Sequence, residues 1–318
     1  MYSFIGKWIT NDDFYSLEFI KKPNQNHKST LLQNQHILFR DYFDYDNDKK
    51  IYLYYSADDL AIVFINGKFV DFGPAISYPF KQYYVKKDIT KYVKKGNNSI
   101  VFHSYYQGLI NRAYYSGDLR HGIIFDIRCD NKILCCSKTS TKNHLHTGYS
   151  ISHIAGWISE NDFNYDTDYI ENYDSNCLED KYYLPNFDDS KWINSKERKY
   201  VDYKFQKLKI KSLKYEELNP RKINNDNLFD LKQEVVGYPY LIIRGQKGQI
   251  INIKCAEELN DDGEIRFDER CNCRYIEKWT LSGNIDTFVP YTYKAFRYIK
   301  IESNLPFELI KIKIIARH

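Results

Sequence analysis

Several protein classes are excluded by what this chain lacks. No run of eighteen apolar residues occurs, so there is no transmembrane helix and no membrane partner is expected. The first residues, MYSFIGKWITNDDF, show no basic region followed by an apolar stretch, and no signal peptide is visible. Cysteines number seven, an odd count that includes the adjacent Cys135 and Cys136. That pattern suits a reducing compartment better than a disulfide framework, so a cytoplasmic location is expected. An excess of one charge is missing too. Lys and Arg total 46 against 42 Asp and Glu, a net of +4, small for a protein that tracks phosphates, and no nucleic-acid partner is expected. There is no repeat of 20–50 residues, no low-complexity tract, and no helical periodicity long enough for a helical barrel.

What is present is strand chemistry. The 318 residues are 43% hydrophobic and include 30 Tyr and 19 Phe, enough for two cores and favourable to sheets. From Glu234 to Ile301, apolar and polar residues alternate: Leu241 and Ile243 against Tyr240, Ile242 and Arg244, and Ile251 and Ile253 against Asn252 and Lys254. A period of two places one set in a core and the other in water. The breaks at Gly245–Gly248, Asn260-Asp261-Asp262-Gly263, Ser282-Gly283-Asn284 and Val289-Pro290 carry turn residues.

Upstream, IYLYYS from Ile51 and LAIVFI from Leu60 read as strands. Asn66-Gly67 between apolar runs predicts a two-residue hairpin. Asp88 suits the cap of a single helical turn, and SIVFH, IIFDIRC and KILCCS read as further strands. Asp12–Phe19 is helix-ambiguous, and 141–186 is loop-rich. The expected fold is all-β: two antiparallel β-sandwich domains in tandem, jelly-roll and concanavalin-like, over 1–212 and 213–318.

Two groups of three stretches together resemble the N-terminal, non-catalytic part of a bacterial α-L-rhamnosidase. In the first domain they are SADDLAIVFINGKFVDFGPAISYP, DITKYVKKGNNSIVFHSYYQGLINRAYYSGD and FDDSKW. In the second they are EVVGYPYLIIRGQKG, AEELNDDGEIRFDERCNCRYIEKWTLSG and YKAFRYIKI. The chain departs from the family at Leu231-Lys232, where a Gly tends to stand, and in its first fifty residues. The resemblance implies a galactose-binding-like sandwich followed by a concanavalin-like one. In that family an (α/α)6 barrel comes next and performs inverting hydrolysis with two carboxylates. The chain ends about where that barrel would start, so no catalytic residue is carried over and the chain alone is expected to be inactive. The expected role is scaffolding with carbohydrate binding, the partner being the catalytic barrel or a rhamnose-containing glycan. The alternative is a free-standing carbohydrate- or partner-binding β-sandwich protein. A docked barrel would also leave an exposed apolar patch near the C-terminus and along the Tyr105–Asp118 loop.

The candidate sugar contacts lie in that loop: Tyr106, Gln107, Asn111, Arg112 and Asp118. An aromatic face suits the C–H side of a pyranose, and amide, guanidinium and carboxylate groups suit paired hydroxyls. Packing against a neighbouring domain is the competing role for the same residues. No cofactor and no metal site is expected. Glu257 and Glu258 are adjacent on a strand and point to opposite faces, so they form no catalytic pair. Glu258–Glu269 mimics a calcium-loop spacing but lacks flanking helices and reads as a hairpin tip. Cys255, Cys271 and Cys273 read as small apolar residues, and His144 and His146 as loop histidines. The basic run Lys196–Lys214 reads as a solvated linker strand.

Overall fold

The computed structural model describes residues 2–20, 32–75, 77–109, 116–151, 154–155, 168–200, 203–207, 215–223, 226–268 and 274–317. Backbone contacts group the chain into two compact units, Met1–His146 with Lys181–Lys209, and Thr147–Asp180 with Ile210–His318. Each is built almost wholly of strands. No helix among the described residues is long and apolar enough to cross a membrane.

The first unit is a sandwich of two sheets. One runs in the order Lys196–Glu197, Ile9–Thr10, Gly122–Cys129, Ile51–Asp58, Gln82–Asp88, Phe205–Lys207, with Lys132–Cys136 also pairing Gly122–Cys129. The other runs Ile193–Asn194, Lys142–Leu145, Gln35–Tyr45, Gly96–Tyr106, Leu60–Ile65, Lys68–Gly73. All pairs are antiparallel except Phe205–Lys207 against Gln82–Asp88. Strand alternation makes the core: Ile51, Leu53, Tyr55 and Ala57 face Ala61, Val63 and Ile65 inside, while Tyr52 and Tyr54 face outward. The Asn66-Gly67 hairpin forms as its sequence predicts, with φ of 51° and 79° at the two turn residues. A 3-10 turn at Thr90–Tyr92 follows Asp88, whose carboxylate accepts from the Thr90 amide and hydroxyl at 3.0 and 2.6 Å. Those two bonds hold the Asp88 carboxyl below its ordinary value.

The ambiguous N-terminal segment resolves into one short helix, Asp12–Ser16. Asn11 Oδ1 caps it by accepting from the Phe14 amide. The basic run differs from the expected linker. Lys196–Glu197 and Phe205–Lys207 are edge strands of the first sheet, and Tyr200, Tyr203 and Phe205 pack around Trp8. Burial of those aromatic rings outweighs the solvation of the intervening lysines.

The second unit holds a nine-stranded sheet, seven of its strands in the order Asn172–Asp174, Ile276–Thr280, Ile250–Ala256, Lys294–Glu302, Leu228–Arg244, Glu308–Arg317, Tyr215–Leu218, with Arg221–Lys222 and Ile285–Phe288 also pairing Leu228–Arg244. Leu241, Ile243, Ile251 and Ile253 are buried, the face the alternation assigned them. The central strand spans 17 residues, and its Gly237 is required by close approach. A Cβ there would lie 2.5 Å from the Ile315 carbonyl oxygen on the neighbouring strand. The polar stretch after Glu258 is a hairpin tip: Leu259 bridges Ile265, and Asn260 N donates to Glu264 O at 2.8 Å. Cys255 is buried and its thiol is pushed up to about 12 by burial. Cys271 and Cys273 lie outside the described residues.

Candidate functional site

The start of the Tyr105–Asp118 loop sits at the end of the strand Gly96–Tyr106, which pairs along its whole length with Gln35–Tyr45. That pairing carries Tyr106 inward. Its ring is fully buried, with Phe14 edge-on at 4.7 Å and His121 at 6.3 Å, and its hydroxyl accepts from the Leu119 amide at 2.9 Å. Gln107 is buried too, its amide donating to Asp59 Oδ2 at 2.7 Å. The same oxygen accepts from Ser116 Oγ at 2.8 Å, and Ser116 Oγ accepts from the Gly108 amide at 2.8 Å. Asp118 is buried and accepts from the Arg120 amide and guanidinium. Asn111 and Arg112 lie outside the described residues.

Asp58, Asp59 and Asp118 thus gather at one end of the sandwich. Burial, then the charges of Asp59 and Asp118, push the Asp58 carboxyl well above its ordinary value, and Tyr203 donates to it. Asp118 is also raised by burial, opposed by the Arg120 guanidinium. The Arg120 guanidinium lies 4.5 Å over Phe19 and 5.8 Å over Tyr203. Chemically this cluster anchors the loop, because carboxylate oxygens of Asp59 and Asp118 are bonded to backbone amides, a hydroxyl and a guanidinium. Of the expected sugar contacts it brings together Gln107 and Asp118, through Asp59 and Arg120, residues the sequence reading did not single out.

A second polar cluster crosses the other sheet. His36 Nδ1 and His103 Nε2 are 2.9 Å apart, and His103 Nδ1 is 2.7 Å from the Tyr182 hydroxyl. His146 stacks on His103 at 5.4 Å. Burial, reinforced by the neighbouring imidazoles, pushes His36 and His103 well below the usual histidine value, so both are neutral. His144 stacks on Trp192, its ring planes within 8°.

One open depression lies in the first unit. It has a volume of about 760 Å³ and is lined by Tyr15, Ser16, Glu197, Arg198 and Lys199. The helix Asp12–Ser16 supplies Tyr15 and Ser16, and the edge strand paired to Ile9 supplies Glu197. Arg198 joins the two by donating to the carbonyls of Phe14 and Leu17. Its guanidinium also lies over the rings of Phe19 and Tyr200 at 5.8 and 5.5 Å. The basic run and the helix-ambiguous segment Asp12–Phe19 were both visible in the sequence. Their meeting, across about 180 residues, was not.

Comparison with known proteins places these sheets. Residues 221–318 match the bacterial alpha-L-rhamnosidase concanavalin-like domain. An alpha-L-rhamnosidase of Formosa agariphila is 29% identical over 76 residues, 23% of this chain and 8% of that protein. The crystal structure of the GH78 family rhamnosidase of Bacillus sp. GL1 superposes with a TM-score of 0.82 at 12% identity, covering 100% of this chain and 55% of that one. The alpha-L-rhamnosidase of Dictyoglomus thermophilum superposes with a TM-score of 0.72 at 19% identity, covering 98% and 35%. That of Aspergillus terreus gives 0.70 at 20% identity, covering 97% and 37%. The chain spans about half the length, or less, of these solved relatives. Residues 221–318 thus match the bacterial alpha-L-rhamnosidase concanavalin-like domain, and the chain as a whole shares its fold with part of the solved alpha-L-rhamnosidases.

Proposed function

We propose that this chain is the non-catalytic, β-built portion of an α-L-rhamnosidase-type glycoside hydrolase, and that it scaffolds a helical catalytic domain without cleaving glycosides itself. The observation that carries this reading is the superposition of the whole chain on 55% of a solved rhamnosidase. Inverting hydrolysis needs two carboxyl groups roughly 6.5–9.5 Å apart across an accessible sugar. The carboxylates Asp59 and Asp118 are instead buried and engaged by the loop they anchor.

A surface suited to a docked domain lies on the second unit, near the C-terminal strand Glu308–Arg317. Tyr215, Val236 and Tyr293 are each more than a third exposed, and the Arg317 guanidinium sits 4.1 Å over the Tyr293 ring. Tyrosine and arginine on such a patch are the residue types that anchor protein interfaces. The described part of the Tyr105–Asp118 loop offers no such patch, since Tyr105, Tyr106 and Leu109 are buried.

The test is hydrolysis of an aryl α-L-rhamnoside by the purified chain. No turnover is expected from the chain alone. Turnover abolished by replacing a single carboxylate of this chain would overturn the proposal.

A further inference from the structure

We propose that His36 and His103 form an acid-sensitive latch on the outer face of the sheet that holds Gln35–Tyr45 and Gly96–Tyr106. The latch keeps the segment 181–192 closed over that face, and adding protons to the pair releases the segment from its Tyr182 end.

Placement is the first ground. Along Gln35–Tyr45 the odd-numbered Ile37, Phe39 and Phe43 enter the core, so His36, Leu38 and Arg40 point to the opposite face. Val101 and His103 share that face, with His103 opposite Leu38 on the paired strand. On the other side His144 stands opposite Leu38, and the His146 amide donates to the His36 carbonyl at 2.8 Å. Four of the chain's eight histidines thus gather here. His36, His103 and His146 are nevertheless buried, because Tyr182 and Trp192 pack onto Leu38 and Val101.

Attachment is the second. Among the described residues, 181–192 forms no strand. Its own backbone bonds are turns, such as Leu184 N to Lys181 O at 3.0 Å and Phe187 N to Leu184 O at 3.2 Å. Side chains of the sheet hold it instead. Arg40 donates to the carbonyls of Tyr182, Leu184 and Pro185 and pairs with Asp189 at 3.1 Å. At the Tyr182 end the hydroxyl meets His103 Nδ1 at 2.7 Å, and His103 Nε2 meets His36 Nδ1 at 2.9 Å. A segment fixed this way can lift without dismantling the ladder beneath it.

Chemistry is the third. Two facing imidazole nitrogens need one donor and one acceptor, which neutral rings supply. A first proton is accommodated, with His103 donating both to His36 and to Tyr182. A second sets N–H against N–H, with two positive rings buried beside His146. Around the pair stand the phenols of Tyr105 and Tyr182 and the Arg40 cation. The carboxylates on the segment and just before it in sequence are engaged. Asp189 holds Arg40 and the Tyr42 hydroxyl, Asp188 the Ser190 amide, and Glu179 the Thr147 amide and hydroxyl. Burial, followed by the neighbouring imidazoles, holds both rings well below the usual histidine value. Opening solvates the rings, so the open form binds protons that the closed form refuses. Closure is therefore complete above about pH 6.5 and weakens as pH falls below it, by up to about tenfold per pH unit for each ring.

The experiment is hydrogen exchange of the whole chain, read by NMR between pH 7.5 and 5 and corrected for the intrinsic pH dependence of exchange. The imidazole ring signals are titrated alongside. Protection of the Leu184 and Phe187 amides should fall about tenfold or more, while the central amides of the two strands beneath keep theirs. His36 and His103 should take up protons over the interval in which the segment opens. His36→Asn keeps a hydrogen-bonding group toward His103 but does not titrate, and its fall should shrink to under about threefold. His121→Gln alters a buried histidine bonded to Thr10 and Ser104, outside the latch, and should leave the fall unchanged. Three outcomes overturn the latch in exchange: protection independent of pH, protection lost only together with the strands beneath, or an equal fall in His36→Asn. Proton uptake by both rings with the segment still protected overturns it as well. Circular dichroism checks that each variant is folded, and the parent chain's exchange and ring titration decide the question if His36→Asn is not.

Discussion

The indole Nε1 of Trp279 donates a 2.7 Å hydrogen bond to Ser175 Oγ, and both groups are buried. The bond joins the Asn172–Asp174 segment to the sheet of the second unit, where that segment pairs in parallel with Ile276–Thr280. Trp279 is also a central side chain of the core, stacked on Phe288 at 5.2 Å. Ser175→Ala leaves a buried N–H donor without its acceptor, at an expected cost of about 1–3 kcal/mol. Urea denaturation followed by tryptophan fluorescence measures it. A change under about 0.5 kcal/mol would show that the bond does not hold the segment in place.

Asp126 organises the other end of the chain. Its fully buried carboxylate accepts from the Tyr2 hydroxyl at 2.6 Å, the Ile5 and Gly6 amides at 3.1 and 2.8 Å, and Arg128 at 3.0 Å. Residues 2–6 are thereby strapped against the strand Gly122–Cys129. Asp126→Ala removes all four acceptor contacts, and a loss of about 3–5 kcal/mol is expected. Hydrogen exchange should rise first at the amides of Ile5 and Gly6. Unchanged protection there would refute the anchoring role.

Three buried histidines set a pH dependence. Burial holds His36 and His103 well below the usual value, and burial followed by the Arg198 charge pushes His121 down to about 3. The unfolded chain therefore binds protons that the folded chain refuses. Stability from these groups is complete above about pH 6.5 and is lost as pH falls below it, for His121 down to about 3, by about 1.4 kcal/mol per pH unit. Asp58 and Asp118, raised in the fold, act in the opposite sense, so a single-site comparison is needed. His121→Gln should flatten the dependence of unfolding free energy on pH between 6 and 4 relative to the parent chain. Equal slopes would exclude His121 as a contributor.

Much of the architecture was legible because it is written locally. The alternation at Leu241–Arg244 and Ile251–Lys254 needs only neighbouring residues to be read, and so does the Asn66-Gly67 turn. The motifs of both domains carried the family resemblance for the same reason, those of the second being the more specific. The candidate sugar contacts show where local reading stops. Tyr106 and Asp118 have the residue types a sugar site uses, but Tyr106 belongs to a strand covered by the helix bearing Phe14. Asp118 is turned onto Arg120. Nothing in their own stretch announces that cover. Tyr200, Tyr203 and Phe205 were misleading in the opposite way, since the lysines around them suggest a solvated linker while the rings pack on Trp8.

By itself the amino-acid order determined that this protein is made of strands, where many of them turn, and which family its two domains resemble, because periodicity, turn chemistry and short motifs act over a few residues. The tertiary structure alone decided that Ser175 would meet Trp279, that Asp126 would hold Tyr2, and that Tyr15 would stand beside Glu197. Those meetings depend on strand order and register across more than a hundred residues, and burial, rather than residue type, settles which polar groups remain available to a ligand.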